Sequence, residues 1–223
     1  MKSAPSPDLA HVRTQPQNGE GSARVAVVLL ILSFFVFAIA VFARTAAAPH
    51  FAHAGFWDAV HSELDPVMSL WLLAAVTIGL GNALIAVGTL LLARGVPDVG
   101  ARTWVRASVI SSIVATAASA VYIFGYFATT SFTSPTLGGE PLFWVAYIAG
   151  FVATVAVAFA LFFLAVAWRH AGLIRSKALV VISLVLAIVS IALPPFAVGI
   201  LALVFAIIRL RGLAASRRSR PLS

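Results

Sequence analysis

The chain has 223 residues, of which 61% are apolar and only 10% charged, against roughly 25% charged in an ordinary soluble domain. That balance excludes a soluble globular protein and a disordered one alike. The absence of cysteine removes disulfides, thiolate metal sites and cysteine nucleophiles, and the net charge of +8 acquires meaning only from where the charges lie.

Residues 1–23 are rich in Pro, Ser, Gln, Asn and Gly and carry no apolar period. They read as a disordered tail. The first apolar run, Val25 to Ala43, is bracketed by Arg24 and Arg44. It is longer than the 7–15 residues of a signal-peptide core, and the nearest small-residue site, Ala46-Ala47-Ala48, runs into Pro49, so it reads as a retained span. The second run, Val67 to Ala93, is opened by Asp65-Pro66 and closed by Arg94. The third runs from about Ala107 to Phe127, and the fourth, Leu142 to Trp168, is opened by Glu140-Pro141 and closed by Arg169. An acid beside the positive end of the helix dipole and a proline in the first turn both suit a helix start. Gly95, Gly172 and Gly212 follow the arginines, where a C-cap is expected.

The last run, Ala178 to Ile208, contains Pro194-Pro195. As one helix it would be about 46 Å long, well beyond a hydrocarbon core of about 30 Å. Two adjacent prolines are hostile to a helix interior, so the run divides into a short hairpin that either spans or stops part-way. The expectation is an all-α polytopic bundle of six membrane segments, at about 25–43, 67–93, 105–127, 142–168, 178–193 and 196–210. Residues 24–211 form the membrane domain and 212–223 a basic tail.

Charge sets the orientation. Six crossings with the N-terminus inside place Lys2, Arg13, Arg24, Arg94, Arg102, Arg106, Arg169, Arg175, Lys177, Arg209, Arg211, Arg217, Arg218 and Arg220 on the cytoplasmic side, leaving Arg44 outside. Five crossings would put the last five arginines outside and violate the positive-inside rule. Both termini are therefore expected in the cytoplasm.

The stretch Leu179 to Gly212, LVVISLVLAIVSIALPPFAVGILALVFAIIRLRG, resembles the short apolar hairpin of small bacterial membrane domains of unknown function. The preference for arginine over lysine, with abundant Ala and Val, resembles actinobacterial membrane proteins. The resemblance implies a bacterial plasma membrane and no activity.

Within the five runs there is no Asp, Glu, Lys, Arg or His. Such groups in a bilayer usually mark ion paths, proton relays or ligand counter-ions. Haem ligation by paired histidines, a lysine Schiff base and proteolysis by paired aspartates all lack their residues, and no catalytic residue or cofactor is assigned. The charged candidate lies in the outer loop, residues 45–66. There His50, His53, Asp58, His61, Glu63 and Asp65 cluster, and imidazole with carboxylate suits a divalent transition ion. His50, His53 and His61 are the candidate ligands, and they would titrate near pH 6.5. A plainer use of the same stretch is an interfacial amphipathic helix, since Phe56, Val60 and Leu64 recur every four residues beside Trp57.

Inside the spans, small residues recur. Ser108, Ser112, Thr116 and Ala120 form an i,i+4 ladder flanked by Ser111, Ala115 and Ser119. Ala75, Gly79 and Ala83 mark the second span, and Ala146, Gly150, Thr154 and Ala158 the fourth. These let helices approach closely in lipid, within one bundle or against a membrane-protein partner. Asn82 is the most polar residue at mid-depth. With Thr77, Thr89, Tyr122 and Tyr147 it is a candidate lining for a small polar cavity, or it forms an interhelical hydrogen bond of about 0.6–2 kcal/mol. Arg209, Arg211, Arg217, Arg218 and Arg220 are placed to meet anionic lipid. No folded basic module accompanies them, so nucleic acid is not an expected partner.

Three functions fit: a non-enzymatic accessory, scaffolding or structural membrane protein; a facilitator or permease for a neutral small molecule; and a metal- or pH-responsive sensor using the outer histidines.

Overall fold

The computed structural model describes the backbone of residues 17–51, 65–96, 100–131, 139–189 and 196–218. Six helices account for all the regular structure among the described residues: α1 (Gln17–Phe51), α2 (Asp65–Arg94), α3 (Arg102–Ser131), α4 (Gly139–His170), α5 (Lys177–Val189) and α6 (Phe196–Arg218). Five helices are long and apolar enough to cross a membrane, and α5, at 13 residues, is the shorter sixth segment.

Helices α1 to α4 run up and down, each antiparallel to the next. A methyl placed on Gly88 of α2 would meet Leu30 of α1 at 3.1 Å, and one on Gly81 would meet Phe37 at 2.9 Å, so the α1 start lies beside the α2 end. Ser108 of α3 donates to the carbonyl of Ala160 in α4 at 2.9 Å, while Gly125 faces Ala146. Helix α6 lies along α1, with Gly199 against Phe37. Six residues further on, about 9 Å along the axis, Phe205 packs on Trp168 at the α4 end, 5.3 Å between ring centroids. This sets the direction of α6. It descends toward the end that holds Arg24, Arg94 and Arg169.

The last two helices differ from a self-packed hairpin. Helix α5 lies mainly on α4, burying Leu179, Ser183 and Ala187. Helix α6 lies mainly on α1, and the two touch each other little. Each is short or peripheral, so each buries more against a long neighbour than against the other. Pro194-Pro195 lies outside the described residues.

The α4 to α5 corner is built by local chemistry. Gly172 adopts φ +69°, a conformation that L side chains rarely accept. The Leu173 amide donates to Trp168 O at 2.9 Å and the Gly172 amide to Arg169 O at 3.1 Å, which together form a Schellman motif. Ser176 then accepts a hydrogen bond from the Ala178 amide at 3.2 Å, capping α5. Gly95 and Gly212 do not share the conformation of Gly172. Gly212 lies inside α6, because that helix continues to Arg218, so the tail expected at 212–223 is helical in its first part. The N-terminal boundary also moves: α1 begins at Gln17, where Glu20 lies in the first turn and pairs with Arg24 at 3.8 Å. Helix α1 also runs on to Phe51, into the span of residues expected as outer loop.

Candidate functional site

Small residues set how the helices meet, and the buried stripe on α3 is not the simple ladder. Ser108, Ser112, Ala115, Ser119, Tyr122 and Tyr126 are buried, whereas Thr116 and Ala120 face outward. Steps of four drift by about 40° each on a helix of 3.6 residues per turn. A straight contact therefore alternates steps of three and four, and Ala115 and Ser119 replace Thr116 and Ala120. On α4 the residues Ala146, Gly150, Thr154 and Ala158 are all buried, as are Ala75 and Gly79 on α2. These faces pack within the chain.

Tyr122 shows what the glycines permit. Its ring lies between α2 and α4, and a methyl on Gly150 would fall 2.5 Å from it. A methyl on Gly79 would fall 3.2 Å from the same ring. Tyr126 stacks edge-on at 4.9 Å and leads to Phe143 at 6.0 Å. Trp144 and Tyr147 continue the aromatic patch outward, both more than half exposed. This patch lies at the end of the bundle that holds Arg44, about 30 Å along α1 from Arg24. Aromatic side chains at that depth suit a membrane boundary.

Asn82 is fully buried one turn further in. Its Nδ2 donates to Thr154 Oγ1 at 3.2 Å, and Thr154 Oγ1 donates to the Gly150 carbonyl at 3.0 Å. Because the Thr154 proton is committed to that carbonyl, the amide must present its NH₂ group to Thr154, and this settles the side-chain orientation. The Asn82 Oδ1 then points away and finds no partner, though it is buried. Thr89, also fully buried, leaves its hydroxyl unpartnered. The other polar residues grouped with Asn82 by sequence do not gather there. Thr77 donates to Leu73 O and Ala74 O of its own helix. Tyr122 packs against the glycines, and Tyr147 faces outward, 55% exposed. The sequence signal for Thr154 was its place in the small-residue stripe of α4, which gave no hint of its polar role.

The opposite end is basic. Arg24, Arg94, Arg102, Arg106, Arg169, Arg175, Lys177, Arg209 and Arg211 all lie there by the packing described above, and most are exposed. The Nε of Arg209 is buried without a partner. His170 is exposed and stacks on Trp104, 6.3 Å between centroids and 11° between planes. His50 closes α1, but its side chain, like all of His53 and His61, lies outside the described residues. Among the described residues no three His, Asp or Glu side chains come together to hold a metal ion.

No family model, curated protein or solved structure matches the chain.

Proposed function

We propose that the protein is a non-enzymatic structural component of a bacterial plasma membrane, with the basic end and both termini in the cytoplasm. One observation carries this reading. The buried glycine, alanine and serine faces of the spans pack one helix against another, with Asn82–Thr154 and Ser108–Ala160 bonded across, while the outward faces are broad and mainly apolar. Exposed Val28, Leu32, Phe35, Ile39 and Phe42 on α1, and Ile110, Ile113, Val121 and Phe124 on α3, present nothing reactive. The five apolar runs offer no Asp, Glu, Lys, Arg or His for chemistry, and lipid is the natural partner of such a surface. The basic end supports the cytoplasmic placement through the positive-inside rule. There Arg209 and Arg211, with Arg217, Arg218 and Arg220 beyond them, would meet anionic headgroups at about 1 kcal/mol each.

The test uses the cysteine-free chain as its own background. Thr45→Cys and Gly95→Cys are placed at opposite ends. A membrane-impermeant maleimide added to intact cells should label Thr45→Cys alone, and Gly95→Cys only after lysis; the reverse pattern would refute the orientation. Purification from native membranes, with bound lipid identified, tests the role. Anionic lipid that is retained by the wild type and lost with Arg209→Gln and Arg211→Gln is expected. Stoichiometric recovery of an enzyme subunit would refute the structural reading in favour of an accessory one.

A further inference from the structure

Among the described residues, the buried serine and threonine hydroxyls other than Thr89 each donate to a backbone carbonyl. Ser33 donates to Leu30 O, Thr77 to Leu73 O, Ser112 to Ser108 O, Ser119 to Ala115 O, Thr154 to Gly150 O and Ser183 to Leu179 O. Ser108 donates across to Ala160 O. Back-bonding of this kind is how a hydroxyl is normally satisfied in an apolar helix. Thr89 has its own Ile85 carbonyl one turn away and does not use it. The second orphan, Asn82 Oδ1, belongs to the same helix.

The two orphans also share a face. Seven residues turn an α-helix about 20° short of two full turns and advance it about 10.5 Å. Between them on that face lie Ala86, which contributes only a methyl, and Ile85. A buried polar atom without a partner costs about 1–3 kcal/mol, and two of them aligned in one bilayer-spanning interior call for a common explanation.

We infer that Asn82 and Thr89 form an intramembrane binding site for two small neutral hydrogen-bonding molecules of the size of water, held in file along the inner face of α2. Three hydrogen bonds of about 2.8 Å reach about 8.4 Å, and the two side chains cover the rest of the separation. The chemistry fixes the class of ligand. Asn82 Oδ1 needs a donor, and Thr89 Oγ1 offers a donor and an acceptor. The five apolar runs hold no Asp, Glu, Lys, Arg or His to balance an ion, and two side-chain oxygens are too few to replace a cation's hydration shell, so the occupant is neutral. The site lies inside the bundle, about 18 Å from Arg94 along α2 at Asn82 and about 8 Å at Thr89.

The experiment turns on a sign. Thr89→Val is nearly isosteric. If the hydroxyl is dry and unpaired, its removal raises the melting temperature of the purified full chain or leaves it unchanged. If the hydroxyl holds a water, the removal lowers the melting temperature, by about 2–4 °C for a chain of this size. Thr77→Val, whose hydroxyl is satisfied by its own helix, measures what the swap does without a ligand. The combination Asn82→Leu with Thr89→Val is the second readout. The side chains do not touch, so without shared water their effects add; with it, the double variant loses clearly less than the two single losses together. The probe is water itself. Exchange into H₂¹⁸O should shift a narrow infrared O–H band in the wild type that is absent from Thr89→Val. A rise in melting temperature, additive effects, or an infrared band unchanged by Thr89→Val would each overturn the proposal.

Discussion

Gly150→Ala tests how tightly α3 is held between its neighbours. The new methyl would lie 2.5 Å from two ring carbons of Tyr122, whereas carbon atoms pack at about 3.5–4.0 Å. It must therefore gain at least about 1 Å. The ring cannot supply this by swinging aside, because Gly79 lies on its other flank, with only 3.2 Å from its Cβ position to the ring. Tyr126 stacks on the same ring at 4.9 Å. Overpacking of this kind costs about 1–3 kcal/mol. Against it stands the better helix propensity of alanine, about 0.8–1 kcal/mol. The matched control is Gly212→Ala, also inside a helix, where nothing lies within 4 Å of the added methyl. It keeps the propensity gain alone. The expected gap between the two variants is the overpacking term, about 1–3 kcal/mol, measured by denaturant unfolding in one detergent. Removing the ring should abolish the conflict: in a Tyr122→Ala background, itself destabilised, Gly150→Ala becomes neutral or favourable. If Gly150→Ala and Gly212→Ala are alike within about 0.5 kcal/mol, or if the penalty survives without the ring, the wedge argument is wrong.

Three further outcomes follow from the packing. Phe37 is fully buried and lies against both Gly81 and Gly199, so Phe37→Ala should cost about 3–5 kcal/mol and make the α6 region the first to be cleaved in limited proteolysis. Ser108→Ala removes the cross-helix bond to Ala160 O and should cost about 0.6–1.7 kcal/mol in the same unfolding assay. Ser176→Ala removes the α5 cap, worth about 0.5–2 kcal/mol, and should speed amide exchange in the first turn of α5 while leaving α4 unchanged.

The class of fold was legible because one physical demand dominates it. A segment in lipid must satisfy its backbone internally and exclude charge, so each membrane segment appears in the sequence as an uncharged run, with Asp65-Pro66 and Glu140-Pro141 opening the second and fourth and arginines closing the first, second and fourth. Helix ends were less legible. The run of apolar residues marks what sits in hydrocarbon, not where hydrogen bonding stops, so α1 extends past Arg24 to Gln17 and α6 past Gly212 to Arg218. The three glycines after arginines looked equivalent, yet Gly172 alone adopts the left-handed conformation, because at that corner the chain must reverse within a few residues. Partner choice was the least legible. The proline pair announces a turn after α5 but does not say what α5 packs on. Asn82 stood out as polar, whereas its partner Thr154 was hidden among small residues with the same spacing.

That hidden pairing bears on what the outside of the bundle is for. Close approach between helices in lipid needs glycine, alanine or serine at the contact. In this chain Gly79, Gly81, Gly88 and Gly150 are all taken up by intrachain neighbours, namely Ile123, Phe37, Leu30 and Tyr122. What remains outward on α1 is a stripe of Val25, Val28, Leu32, Phe35, Ile39 and Phe42 at steps of three and four. Branched and aromatic side chains hold a second helix further away, where fewer backbone atoms meet and lipid chains compete on equal terms. A small-residue seam of the kind that binds α3 to α4 is therefore not repeated on this face. A partner docking there would depend on the basic end or the aromatic patch near Arg44 for its specificity, while the middle of the face suits lipid.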